Sequence, residues 1–215
     1  MYVDASECCN DLVFLLGGEG IGTNIRQRQW SIKITQYSCD YENLAPGGCT
    51  QYFFDTDGVD TVQTYNFDGG LHLASQNQNI CVRRERGNCK ICWTASNDED
   101  FDLSGTSSPL AFVTTSACCG HGSNGVSSFG YDCVSIPGAK TALGPSTKIG
   151  PSRICGRNKG LGTTFSGPQV TICTQQTPFN IRFLSDKYEV FGDISESGQM
   201  NKGFRLTYIQ SSNGC

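Results

Sequence analysis

The sequence lacks the features that would mark several common classes of protein. Its longest aliphatic run near the N terminus, LVFLL at 12–16, is too short for a signal-peptide core or a membrane span. It has no Asn-x-Ser/Thr acceptor, so we expect a surface without N-linked glycans. Basic residues do not outnumber acidic ones, at 16 against 20. We therefore expect neither nucleic acid nor an anionic membrane as a partner.

Histidine is also scarce, which limits the catalytic chemistry that the chain can offer. His72 and His121 are the only two. The stretch HGSNG at 121–125 is not a nucleophile elbow, because no glycine stands two residues before Ser123. Nothing in the sequence selects a nucleophile and a base, so we expect no enzymatic activity.

Cysteine, by contrast, is abundant. Thirteen cysteines predict an oxidised, extracellular protein, and CKIC at 89–92 is then expected in disulfides rather than around zinc. The odd count leaves at least one cysteine unpaired within the chain. Cys8, Cys9 and Cys215 lie near the termini and are candidates for bridges between chains.

The hydrophobic pattern has a period of two. WSIKI at 30–34, FNIRFL at 179–184 and FRLTY at 204–208 alternate apolar and polar residues, as half-buried strands do. The 26 glycines argue against long helices. We therefore predict an all-β fold, an antiparallel β-sandwich or barrel crosslinked by disulfides. The segment 94–130 does not alternate and is predicted to be an inserted loop.

From Cys49 to Gln210 the chain resembles a CUB domain, in particular the CUB-containing extracellular proteins of arthropods. The resemblance rests on the order of several short motifs. They are CTQYF at 49–53, GVDTVQTYNF at 58–67, HLASQNQNICVRRE at 72–85, YDCVSIPG at 131–138, RICG at 153–156, PFNIRFLSD at 178–186 and GFRLTYIQ at 203–210. It implies a jelly-roll-like sandwich that acts as a secreted protein-interaction module, with loops at one end of the sandwich making the contacts.

The resemblance also implies two disulfides, Cys49–Cys81 and Cys133–Cys155. Other pairings stay open from the sequence. Cys118 or Cys119 could be the partner of Cys155. Cys81 has Cys89 and Cys92 nearby, and Cys39 lies close to Cys49.

Many CUB domains bind calcium, and the resemblance places Asp132 and Asp186 at two of the ligand positions. The family's glutamate is missing, so Asp100 or Asp102 would have to replace it. The alternative is that Asp132 and Asp186 cap turns by accepting hydrogen bonds from neighbouring backbone amides.

One further pattern is a repeat: RQWSIKITQYSC at 28–39 resembles KGFRLTYIQSSNGC at 202–215. We expect 1–39 to be the last strand pair of a truncated CUB-like domain plus a linker, and 40–215 to be a CUB-like domain. The apolar positions of that strand pair are Leu12, Phe14, Leu16, Trp30, Ile32 and Ile34.

This strand pair suggests a second function, because an isolated hairpin is marginal in water. A second hypothesis is therefore a structural protein that assembles with copies of itself into oligomers or fibres, by strand donation and inter-chain disulfides.

Overall fold

The structure is a computed structural model. It describes residues 1–6, 10–14, 30–70, 72–97, 100–103, 118–119, 132–141, 152–156, 171–185, 202–213 and 215.

The regular secondary structure of the described residues is almost entirely β. The strands are β1 (Gln51–Phe53), β2 (Val59–Gln63), β3 (Asn77–Val82), β4 (Lys90–Thr94), β5 (Phe101–Asp102), β6 (Cys133–Ser135), β7 (Lys140–Thr141), β8 (Arg153–Ile154), β9 (Thr171–Thr174), β10 (Asn180–Leu184) and β11 (Gly203–Ser211). A single 3-10 turn, η1 (Phe67–Gly69), lies between β2 and β3. The predicted all-β fold is confirmed.

One sheet has five strands in the order β1-β3-β10-β6-β8. Its pairs are antiparallel except β1 with β3, which run parallel. On β10, Ile181 and Phe183 face the interior while Asn180 and Arg182 face outward, as the alternation of FNIRFL predicts.

The second sheet has the order β2-β11-β4-β9-β7, and β5 pairs with the first residues of β11. Strand β11 is its longest and pairs antiparallel with both β2 and β4. Phe204, Leu206 and Tyr208 of β11 are buried, which matches the period of two in FRLTY.

The core lies between the two sheets, where both inner faces contribute large side chains. The largest fully buried ones are Trp93, Tyr208, Phe67, Phe101, Phe179, Phe183, Phe204, Ile80, Ile91, Leu103 and Ile136. Burying one such side chain stabilises a fold by about 1.5–3 kcal/mol. The aromatic rings of Phe183 and Phe204 meet edge to face at 5.6 Å across the two sheets.

Five disulfides crosslink the described chain, and they change the expected pairings. Cys49–Cys81 is present, as the resemblance implied. The Cys133–Cys155 pairing is wrong: the register of β6 and β8 makes these two cysteines neighbours, yet each is bonded to one of the vicinal cysteines 118 and 119. The bonds are Cys118–Cys155 and Cys119–Cys133. The vicinal pair thereby ties a stretch of the long inserted segment to the sheet.

The remaining bridges fasten the second sheet. Cys215 forms a disulfide with Cys89 of the same chain, so its expected role between chains is wrong. The end of β11 pairs with the start of β4, which brings the two cysteines together. Cys92 and Cys173 face each other across β4 and β9 and are also bonded. Among the described cysteines, Cys39 alone has no partner and is exposed. Cys8 and Cys9 lie outside the described residues.

The described residues of the N-terminal segment add no strand to either sheet. Residues 10–14 and 30–38 contain no strand, and Leu16 lies outside the described residues. Leu12, Phe14, Trp30, Ile32 and Ile34 are 44–80% exposed. Alternation alone is not enough to make a strand, because a strand needs a neighbouring edge to satisfy its backbone groups, and these residues have none within the described chain.

Candidate functional site

One end of the sandwich gathers the candidate residues, and we call it the η1 end. It consists of the loop 64–76 with η1, the segment 100–103, and the first residues of β6 and β11. The opposite end, called the far end, consists of the turns 54–58 and 83–89. The antiparallel register sets this arrangement, because β3 and β11 start at the η1 end and finish at the far end.

A buried contact between a histidine and an aspartate lies at the centre of the η1 end. His72 Nε2 is 3.2 Å from Asp132 Oδ2, and the two side chains are 0% and 2% exposed. The imidazole meets the Phe183 ring edge-on at 5.3 Å. His72 Nδ1 lies 3.3 Å from the carbonyl oxygen of Leu73. The histidine is thus held on several sides and faces the interior rather than the solvent.

The close packing at this end depends on Gly203, the first residue of β11. Its φ is +103°, a conformation that other residues rarely adopt. A Cβ there would overlap Thr64 Oγ1 and lie 3.3 Å from His72 Cβ. Thr64 Oγ1 accepts a hydrogen bond from the backbone N–H of Phe204 at 3.2 Å. A side chain at 203 would therefore push apart the loop and the strand that hold His72.

Ser185 fastens the end of β10 to the same loop. Its hydroxyl donates to the carbonyl oxygen of Leu73 at 2.8 Å and accepts from the backbone N–H of Gln76 at 2.9 Å. The residue after it, Asp186, lies outside the described residues. Ser185 itself lies at the η1 end, where Asp132 also lies.

The turn η1 carries a second, more exposed cluster. Asp68 accepts hydrogen bonds from Arg205 and Gln63, which hold the pKa of its carboxyl below the ordinary value. The guanidinium of Arg205 lies over the Phe67 ring, 4.4 Å from its centroid. These contacts fix η1 against β11 and so position the loop that comes after it.

Asp100 behaves as a turn cap. Its Oδ2 accepts hydrogen bonds from the backbone N–H of Asn97 at 2.8 Å and from the Asn97 side chain at 2.9 Å. Asp102 is buried opposite Gly203 in the β5–β11 pair. Asp100 therefore caps a turn rather than pointing to an open site.

A calcium ion is not fitted by the described residues on their own. Calcium needs several oxygen ligands brought together, and Asp132 is already paired with an imidazole. Within the described chain, no three side chains among His, Cys, Asp and Glu are grouped so that they could hold a metal ion. Calcium binding by Asp132 together with Asp186 stays a prediction.

The η1 end is also where three long connections of the chain are attached. The described chain breaks off there after Leu103, Gly156 and Ser185. It resumes there at Asp132, Thr171 and Lys202. The connections 104–131, 157–170 and 186–201 therefore all start and finish at this end. Within the first of them, Cys118 and Cys119 are bonded to Cys155 and Cys133.

Comparison with known families matches the sandwich to one of them. The family described as "Animal CUB domain" matches residues 46–211, most of the chain. This chain belongs to the animal CUB domain family. CUB domains are generally non-catalytic binding modules, and they typically mediate protein interactions outside the cell. No helix among the described residues is long and apolar enough to cross a membrane.

Two solved structures are similar to the chain at low identity. The chain is 20% identical to the "CUB1-EGF-CUB2 domain of HUMAN MASP-1/3", with 76% of this chain and 42% of that one covered and a TM-score of 0.40. It is 15% identical to the "Full extracellular region of zebrafish Gpr126/Adgrg6", with 76% and 15% covered and a TM-score of 0.32. The chain thus spans less than half the length of either of these two proteins. No curated protein matches it in sequence.

Sequence reasoning finds part of this site and misses part. The CUB resemblance selects Asp132, but nothing in the sequence selects its partner His72, since the two residues lie far apart in the chain. The signal that could have found His72 is the pair of αL residues, Asn66 and Gly70, that bracket η1 and turn the chain toward it. The stretch NFDGG contains the residue types that favour such turns.

Proposed function

We propose that this CUB domain is a secreted, non-enzymatic module that binds an extracellular protein through its η1 end. One observation supports this most: the described residues that flank the connections 104–131, 157–170 and 186–201 lie at that end. Long connections on a rigid scaffold are where binding residues concentrate. The described turns of the far end, 54–58 and 83–89, are short by comparison.

The scaffold beneath these connections is firmly held. Thr64, His72 and Ser185 are tied to neighbouring strands by buried or half-buried polar contacts, and two disulfides meet beside them. Binding to a pre-ordered surface loses less conformational entropy, which favours affinity. The buried cysteines 118, 133 and 155 pack with Leu184 and make the support rigid.

The state of His72 supports a binding role over a catalytic one. Its ring is fully buried, paired with Asp132 and packed on Phe183. A general base has to come within hydrogen-bonding reach of a substrate proton. A ring enclosed in this way does not meet that requirement.

The proposal is tested with one pair of surface substitutions. Leu73 at the η1 end and Ile209 on the outer face of β11 are aliphatic and similarly exposed, at 46% and 52%. The whole chain carries a photo-crosslinking amino acid at either position and is irradiated in extracellular fluid from the source tissue. We expect a discrete protein adduct from position 73 and none from position 209. Equal adducts from both positions, or adducts from 209 alone, would contradict the proposal.

A second candidate function is self-association, and the exposed N-terminal segment favours it. The rings of Phe14 and Trp30 are in contact, with centroids 4.3 Å apart, yet both side chains face solvent. Contiguous exposed apolar residues mark interaction surfaces. Cys39, exposed and unpaired among the described cysteines, could make such a contact covalent.

The repeat within the sequence suggests what kind of contact this segment makes. In β11, Gln210 uses its side-chain amide to bond the backbone of Arg83 and of Glu85, at 2.8 and 2.9 Å. Gln36 stands at the same place relative to Trp30, Ile32 and Ile34 as Gln210 does to the buried residues of β11. The segment 30–36 thus has the residue pattern of a last CUB strand, but it pairs with no strand of the described chain.

Removal of residues 1–38 tests the second candidate. Light scattering and non-reducing electrophoresis of the full chain should show concentration-dependent oligomers that the shortened chain does not form. A matched Cys39→Ser variant separates a covalent contact from a packing contact, since it removes only the reducible species. A full chain that is monomeric at all concentrations would rule out self-association and leave the first proposal intact.

A further inference from the structure

The outer face of the five-stranded sheet carries a groove that the proposed function does not use. It encloses about 530 Å³, within the range of ligand sites. Its polar lining comes from Asn77, Asn79, Ser135, Asn180 and Arg182. We call it the amide groove. It lies on the flat of the sheet.

The strand register explains why these polar side chains share a face. Arg182 is paired with Asn79 on one side and with Ser135 on the other, and Ser135 is paired with Arg153. Adjacent strands lie about 4.8 Å apart, so this row of four places its two guanidinium groups on strands roughly 10 Å apart. The side chains of residues that are paired on neighbouring strands point to the same face of the sheet.

Disulfide-bonded cysteines flank the polar row on both sides. On one side, Cys81 is bonded to Cys49 and is paired with Asn180 in the register. On the other side lies the buried cluster of cysteines 118, 133 and 155 with Leu184. Crosslinked walls hold the groove open without a ligand, which lowers the entropy cost of binding.

The hydrogen-bonding groups of the amide groove are largely unused by the described protein. Nε of Arg182 donates to Asn77 Oδ1 at 2.9 Å, which orients the guanidinium and leaves its terminal nitrogens free of described partners. Asn180, Ser135 and Arg153 make no side-chain hydrogen bond with another described residue. Asn79 donates to the carbonyl oxygen of Gly48 at 3.3 Å.

The chemistry of the lining selects a class of ligand. Amides and a hydroxyl offer donors and acceptors side by side, as vicinal sugar hydroxyls require. The guanidinium group of Arg182 matches carboxylate or sulfate geometry, and Arg153 continues the same row beyond the lining. No described carboxylate lines the groove, although the chain as a whole has a formal net charge of −4. The described lining therefore carries the positive charge of Arg182 with no carboxylate beside it.

The same lining argues against a protein or a membrane in this groove. Protein hot spots are built around aromatic and large aliphatic anchors, and Pro137 is the only apolar side chain among the described lining residues. Peripheral membrane binding requires an apolar face to insert or a cluster of several basic residues. We propose that the amide groove binds a sulfated saccharide.

The test uses the full chain and calorimetric titration with a heparin-derived hexasaccharide, beside its chemically desulfated counterpart. We expect binding of the sulfated form, weakening as salt rises, and at least about ten-fold weaker binding of the desulfated form. Arg182→Gln should weaken binding about ten-fold or more, and Asn180→Ala about three-fold. Both side chains are at the surface, so thermal unfolding should be unchanged.

The matched control is Arg84→Gln. Arg84 is an exposed arginine in the basic stretch 83–86, away from the groove, so its loss changes net charge equally. It should alter affinity less than about two-fold. The proposal is overturned by any of three results: no binding of the sulfated form, equal loss in Arg84→Gln and Arg182→Gln, or equal affinity for both saccharides. It is also overturned if phosphatidylserine vesicles or a poly-glutamate peptide bind more tightly and lose that binding in Arg182→Gln.

Discussion

Buried polar residues decide the geometry of the η1 end at the scale of single side chains. His72 Nε2 and Asp132 Oδ2 lie 3.2 Å apart in the interior, where a polar group with no neighbour of this kind would be costly. Removing one member of a buried pair leaves the other without compensation, so such pairs resist substitution. The glycine that lets them pack, Gly203, is under the same constraint from the backbone side.

Gly203→Ala should be strongly destabilising. The new methyl group would overlap Thr64 Oγ1, and φ of +103° is unfavourable for alanine. We expect the free energy of unfolding to fall by about 3 kcal/mol, measured by urea denaturation. The control is Gly87→Ala, which also has a positive φ but meets no atom within 4 Å, and should cost about 1 kcal/mol. Equal losses in the two variants would contradict the packing described for the η1 end.

Tyr208 makes stability depend on alkaline pH. Burial, followed by the nearby Asp60, Asp55 and Glu85, raises the pKa of its phenol well above the ordinary value. Above about pH 10 the unfolded chain releases this proton while the folded chain keeps it, so the free energy of unfolding falls as pH rises.

Tyr208→Phe should reduce that dependence. The slope of unfolding free energy against pH should become shallower by up to about 1.4 kcal/mol per pH unit above pH 10. Urea midpoints measured at about pH 8 and about pH 10.5, after brief incubation to spare the disulfides, provide the comparison. Identical slopes in the two proteins would show that the phenol ionises equally well in the folded state.

At the scale of elements, disulfides hold the strands that bear the site. Cys89–Cys215 joins the start of β4 to the end of β11, with a sequence separation of 126. We expect Cys89→Ser with Cys215→Ser to lower the free energy of unfolding by about 4 kcal/mol, since other bridges already shorten the loop. The apparent mass of this double variant on a non-reducing gel should equal that of the unaltered chain.

The control is Cys39→Ser, which should leave the free energy of unfolding unaltered. If the unaltered chain forms a covalent dimer and the double variant does not, Cys215 bridges chains and the expected result is contradicted.

The strands themselves could be predicted from alternation, but their partners could not. FNIRFL and FRLTY form β10 and β11 with the expected residues inside. WSIKI has the same pattern and forms no strand, because the sequence does not say whether an edge is available. The Cys133–Cys155 prediction is wrong for a related reason: the partner of Cys133 depends on which segment is brought to β6, and that is a property of the whole fold.

The site was predictable only where one residue carried the signal. Asp132 stands in a recognisable motif, whereas His72 acquires its role from a contact with a residue far away in the sequence. The amide groove has no linear signature either. Its row of Asn79, Arg182, Ser135 and Arg153 comes from four strands, and only the register places them side by side.

At the scale of the whole molecule, residues 1–38 should be separable from the sandwich. Their described contacts with it are few: the backbone N–H of Tyr2 donates to Thr50, and the Tyr2 ring meets that of Tyr52 edge-on. Deleting 1–38 should change the free energy of unfolding by less than about 1 kcal/mol. A loss of several kcal/mol in chemical denaturation would show that the segment is part of the core domain.

The central claim is that the η1 end is the binding surface, and hydrogen exchange tests it most directly. The full chain is mixed with the protein captured through position 73, and amide exchange is compared with the free chain. We predict slower exchange in peptides covering 64–76 and 97–103, and unchanged exchange in the far-end turns 54–58 and 83–89. Protection confined to the far end or to the outer face of either sheet would contradict the account.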